Sequence, residues 1–242
     1  MAYDFLGLVN DVNRRLNEVE LTSSNFAAAT GFYSQSKDSV NAAIQDINQQ
    51  QFEWPFNYVS QEETLTVGQT RYGFPTDART VDMDTFRIKF DDTLDSDTVK
   101  LKIIAYEDYL ERYVDQEYNT DTSLQGVPAY VFRSPNLEFG VVPAPDKAYE
   151  IVYEYYAVHV ELTNATDVPN IPEIYRHVIV DGAMYHAYMF RSNEQAAMIA
   201  KDKFEKGIKN MRTILMNRYE YVRSGMIVRS NRSSYVYRIK NV

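Results

Sequence analysis

Val40-Asn41-Ala42-Ala43-Ile44-Gln45-Asp46-Ile47, followed by Phe52-Glu53-Trp54-Pro55-Phe56, is where the chain changes character. Val40, Ala43, Ile44 and Ile47 recur at helical spacing, so residues 36–51 are predicted to form an amphipathic helix. Pro55 cannot continue that helix and marks its end. The single tryptophan, between Phe52 and Phe56, reads as a core or hinge anchor. Beyond Asn57 the apolar period shortens from that of a helix to that of a strand.

Upstream, Phe5, Val9, Val12, Leu16 and Val19 place a first helix over residues 4–20, with Asn13, Arg14, Arg15 and Asn17 turned outward. Residues 22–31 are small and polar, a linker or short turn. Downstream, residues 63–67 and 71–74 read as strands around Gly68-Gln69, and Phe86, Ile88 and Phe90 alternate with Arg87 and Lys89 over 85–90. A polar loop at 91–97 precedes a strand over 99–105. A short helix follows over 107–118, with Tyr109, Leu110 and Tyr113 inward, and three more strands lie within 127–157. Helical spacing returns after Pro169 and Pro172. It is renewed over 194–217, where Asn193 or Ser192 is placed to cap.

The fold expected is therefore α+β. N- and C-terminal helices form a four-helix bundle around an inserted, mainly antiparallel β-rich module, and an extended basic tail follows. The boundaries predicted are 1–57 with 168–217 for the helical core, 58–167 for the β-rich domain and 218–242 for the tail. Residues 218–242 hold six Lys and Arg against one Glu, a net charge of +5, whereas the whole chain stands at -9. The body therefore carries -14. The tail also has apolar and aromatic pairs at Met226-Ile227-Val228 and Tyr235-Val236-Tyr237, which suits partner binding.

Catalytic and metal-binding signatures do not assemble. The chain has no cysteine, which excludes disulfides, thiolate nucleophiles and cysteine-held metals. Its three histidines form no HExxH, and His177 and His186 lie about two and a half turns apart on one helix. Asp91, Asp95 and Asp97 suggest a calcium loop, but Ser96 and Lys102 stand where an EF-hand needs glycine and glutamate. No phosphate cradle or GxSxG elbow is present. Neither an enzyme nor a cofactor site is expected. With no membrane-length apolar run and no secretory signal, the chain is expected to be soluble and made in a cytoplasm. Twenty tyrosines, many within 149–156 and in the tail, favour interfaces, although strands enrich the same residue.

Three landmarks in order resemble the head-to-tail adaptor, or connector, proteins of short-tailed bacteriophages. They are the helix entering Phe52-Glu53-Trp54-Pro55-Phe56; Leu65-Thr66-Val67 through Tyr72-Gly73-Phe74-Pro75-Thr76-Asp77-Ala78-Arg79 to Asp84-Thr85-Phe86-Arg87; and the final helical pair with its basic tail. The resemblance implies a structural virion protein at the portal vertex, made in the host bacterial cytoplasm. It further implies a ring of about twelve identical subunits. The helical part would dock on the portal protein, and the β module would face the tail nozzle or tail tube protein. Genomic DNA would pass without specific binding.

For portal binding the resemblance points to Arg223, Arg229, Arg232, Tyr235, Tyr237, Arg238 and Lys240. Under this reading Arg14, Arg15, Glu194 and Asp202 are candidates for ring contacts, and Tyr153, Glu154 and Tyr155 for contacts with the tail. The loops at 91–97 and 143–146 are placed with the latter. A tail nozzle or head-closure ring component stays open as an alternative, as does a nucleic-acid-binding protein whose basic tail grips phosphate.

Overall fold

The computed structural model of the protein describes residues 2–89, 98–118 and 122–216. The chain divides into two compact units. One comprises Met1–Ile47 with the described residues from Leu162 onward, and the other is Asn48–Glu161. N- and C-terminal helices pack together, and the β-rich segment is inserted between them in sequence.

In the helical unit α1 (Phe5–Arg15) opens on Asp4, whose carboxylate accepts from Gly7 N at 2.7 Å. The first-turn N–H groups of Phe5 and Leu6 donate to Asp167 O and Ala165 O, so a segment from the far end of the sequence satisfies them. The helix stops at Leu16, and Asn17 takes a left-handed conformation (φ 57°). This is shorter than the predicted 4–20, and the consequence reverses two expectations. Val19 is 74% exposed, and Asn13, expected outward, is fully buried. Asn10 secures the chain after the turn through a two-way bond with Leu21, Nδ2 to O at 2.8 Å and N to Oδ1 at 2.7 Å.

A single turn, α2 (Ser23–Phe26), is followed by α3 (Phe32–Gln50), which begins four residues before the predicted start. After the 3-10 turn Glu173–Tyr175 come α6 (Arg176–Phe190) and α7 (Glu194–Leu215), the latter capped by Asn193, whose Oδ1 accepts from Ala196 N at 3.2 Å. Glycines set the helix spacing. A Cβ on Gly182 would lie 2.9 Å from the Ala43 Cβ and 2.6 Å from the Phe204 ring, and one on Gly207 would lie 2.9 Å from Val178. Two long-range ties close the unit: Asn41 bonds both ways with Leu162, and Arg176 reaches Asp11 at 2.7 Å and Gly7 O at 3.2 Å.

The β unit is two four-stranded sheets over one core. Its strands are β1 (Tyr58–Thr64), β2 (Arg71–Gly73), β3 (Ala78–Lys89), β4 (Thr98–Lys100) and β5 (Lys102–Ile103). After α4 (Tyr106–Arg112) and α5 (Asp115–Tyr118) come β6 (Tyr130–Ser134), β7 (Glu138–Val142) and β8 (Glu150–Ala157). One sheet runs β1-β8-β3-β4 and the other β2-β7-β6-β5. Phe86, Ile88, Ile151, Tyr153 and Tyr155 from the first sheet meet Tyr72, Val131, Phe139 and Val141 from the second. Gly140 lets the sheet stay close beneath Phe132, whose ring atoms lie 2.0–2.7 Å from where a Cβ would sit.

Two departures from the predicted layout share one cause. The strand expected over 99–105 breaks at buried Leu101, where the chain leaves β3 for the other sheet, and β5 then pairs parallel to β6. The helix expected over 107–118 splits into α4 and α5 within the crossover that a parallel pair requires. Tyr109 is buried as expected, stacked on Phe132 at 3.8 Å, whereas Leu110 is exposed. Trp54 is fully buried and stacks on Phe56 at 5.5 Å, which fits its reading as an anchor.

Candidate interaction surfaces

The candidate contacts fall on both units, and the structure sorts them by availability. Arg14 lies on the exposed side of α1, bonded to Asp11 at 3.1 Å and Glu20 at 3.0 Å. Arg15 bonds Asp181 of α6 at 2.6 Å and borders a groove of about 270 Å³ with Tyr188, Ile199 and Lys203. Asp202 pairs with Lys206 one turn along α7, at 2.6 Å. Glu194 stands exposed in the first turn of α7 with no ion pair among the described residues. The four are not gathered into one site. Each of the first three is held within the chain, Arg14 and Asp202 in part by partners at helical spacing and Arg15 by a partner distant in sequence.

Strand β8 corrects two of the three tail-contact candidates. Tyr153 is fully buried and Tyr155 is 4% exposed, both in the core between the sheets. Their hydroxyls reach polar groups at its margin, Glu63 at 3.4 Å and Asp77 at 3.1 Å. Burial raises both phenol pKa values above the ordinary tyrosine range, so neither ionises near neutral pH. Because side chains alternate along a strand, only Glu154 of the three faces away from the core. The portal-binding candidates Arg223, Arg229, Arg232, Tyr235, Tyr237, Arg238 and Lys240, and the 91–97 loop, lie outside the described residues.

None of the histidines forms part of a reactive group. His186 meets Asp46 of α3 at 2.9 Å, a polar contact inside the helical unit. His177 is exposed. His159 is held below its ordinary pKa by burial and by Arg79. Among the described residues no three His, Asp or Glu converge to hold a metal ion, and no helix is long and apolar enough to cross a membrane.

The order of elements, helices enclosing an inserted two-sheet unit, is matched along nearly the whole chain by one family model, SU10 adaptor protein, over residues 3–229. The chain belongs to the SU10 adaptor family. No curated protein matches it. As an SU10 adaptor it is a structural head-to-tail connector of phage virions that joins portal and tail components, and it is not an enzyme. The match extends into the basic C-terminal segment and covers both units, so the adaptor assignment applies to the helices and the β insertion alike.

The division of the SU10 adaptor into units also locates its charge, which the sequence read as one acidic body. The β unit holds 21 Asp and Glu against 9 Lys and Arg, net -12, whereas the helical unit up to residue 217 holds 12 against 10, net -2. The acidity therefore belongs to the insertion. The range 58–167 predicted for the β-rich domain likewise holds 21 acidic residues against 9 basic, so the segregation is already present in a count by predicted segment.

Proposed function

We propose that this adaptor forms a ring of about twelve copies at the portal vertex, closed by a heterologous contact between neighbouring helical units. The family match over residues 3–229 is the observation that carries this reading. The ring contact involves Glu194 and the exposed Arg14, Arg15 and Asp202 pairs, whose internal partners are shared with the neighbour on assembly. The groove beside Arg15 offers apolar area next to those charges. The segment 218–242 docks on the portal protein through Arg223, Arg229, Arg232, Tyr235, Tyr237, Arg238 and Lys240, combining charge with aromatic contact area. The acidic β unit faces the tail nozzle or tail tube protein, and genomic DNA passes the ring without specific binding.

Native mass spectrometry of the purified protein, alone and mixed with portal rings, tests this. A 28.1 kDa monomer that assembles in about twelve copies only on the portal is the expected result. A stable free ring, or no portal binding, would count against the proposed assembly.

A further inference from the structure

The tail contact expected of Tyr153 and Tyr155 is displaced by one residue, and the strand register shows what occupies the outer face instead. On β8 the residues facing away from the core are Glu150, Val152, Glu154 and Tyr156. In β1, Tyr58 lies opposite Tyr156 and Ser60 opposite Glu154. In β3, Thr80 lies opposite Tyr156 and Asp82 opposite Glu154. Tyr58 and Tyr156 meet edge to face at 6.3 Å, and Tyr58 is 46% exposed.

Beside this aromatic pair, Asp82 and Glu154 are two carboxylates directly opposite each other in an antiparallel ladder, an arrangement that destabilises a sheet. Among the described residues neither has an ion pair. Lys89 on the same sheet is held by Glu62 and Glu150, Lys100 by Asp84, and Arg87 lies beyond the bulge, opposite Val152. Backbone bonds fix the pair in place. Asp82 Oδ1 accepts from Asp84 N at 3.0 Å, its carbonyl accepts from Thr85 Oγ1 at 2.7 Å, and Thr85 Oγ1 accepts from Glu154 N at 3.0 Å. The nearby Glu154 carboxylate pushes the Tyr58 phenol up to about 12.

We propose that Tyr58, Asp82, Glu154 and Tyr156 form the docking point for an arginine-bearing surface of the tail-side protein. A planar guanidinium bridges two carboxylates and packs on an aromatic face, which the compact lysine ammonium does less well. The charge of the β unit, -12, favours the encounter with such a partner. The inference rests on the reading that the β unit faces the tail.

The test uses full-length protein assembled on portal rings, with binding of the purified tail nozzle protein measured at several salt concentrations. Asp82→Asn with Glu154→Gln removes both charges and keeps the oxygen that accepts from Asp84 N. This double variant should bind the nozzle protein about tenfold more weakly or worse, with a flatter salt dependence. Its portal attachment should be unchanged, and its thermal midpoint at or above wild type. Tyr58→Ser should weaken nozzle binding without altering portal attachment. Wild-type binding with no change in either variant would overturn the docking point alone. Failure of wild type on the portal to bind the nozzle protein would remove the tail-facing reading and the docking point with it. A loss of ring mass in the double variant would assign the face to a second copy and overturn the proposal.

Discussion

Gly182 sits where three helices meet, and an added methyl there has nowhere to go. Ala43 Cβ, 2.9 Å from the position it would occupy, belongs to a side chain with no rotamer to change, and Phe204 is itself buried. Alanine improves helix propensity by about 1 kcal/mol, but overpacking costs about 1–3 kcal/mol. Gly182→Ala should therefore lower the thermal midpoint, and an unchanged midpoint would mean that the helices separate at little cost. Asn13 makes the opposite case. It is fully buried, and neither Nδ2 nor Oδ1 meets a partner among the described residues. Burying an amide unsatisfied costs about 1–3 kcal/mol, so Asn13→Leu should leave stability unchanged or raise it by about 1 kcal/mol, read by urea unfolding. A fall of that size would show that the amide is engaged in the folded protein.

In the crossover, buried Tyr109 anchors α4 and one ion pair ties α5 to β2. Arg71 of β2 donates to Glu117 through Nε and, at 3.1 Å, through Nη2, while Thr70 Oγ1 donates to the same carboxylate at 2.9 Å. The guanidinium also lies over Tyr106 and Tyr109, 5.7 and 5.6 Å from their centroids. Burial pushes the Glu117 carboxyl upward, and the bonds from Arg71 and Thr70 more than reverse this, so its pKa lies below the ordinary value. The stabilisation is then complete above the unfolded pKa of about 4.3 and is lost as pH falls through the lower folded value. Glu117→Gln should destabilise residues 106–118 by about 2 kcal/mol at pH 7, seen as faster hydrogen exchange there. Below that folded value variant and wild type should converge, because both then carry a neutral side chain. A difference that persists in acid would assign the effect to packing instead.

For the whole molecule, charge is segregated by unit: -12 in the β unit, -2 in the helical unit and +5 in residues 218–242. Deleting residues 219–242 should leave both units folded by circular dichroism while reducing cosedimentation with portal particles; undiminished cosedimentation would place the portal contact elsewhere. The assembled particle should give no DNA mobility shift at about 0.15 M salt, since its net charge disfavours phosphate. The adaptor architecture was legible in the chain because amphipathic periods and turn residues are local. The helix ending before Pro55, the inward Phe86 and Ile88, the return of helices after Pro172 and the cap at Asn193 each depend on a few neighbouring residues. What only tertiary structure decided involves partners far apart in sequence. Asp167 and Ala165 satisfy the start of α1, Asp181 holds Arg15, and Leu101 carries the chain from one sheet to the other. The register of β8 between β1 and β3 turned Tyr153 and Tyr155 inward and brought Asp82 beside Glu154. A strand's composition names its side chains, but a one-residue choice of register determines which of them a partner can reach.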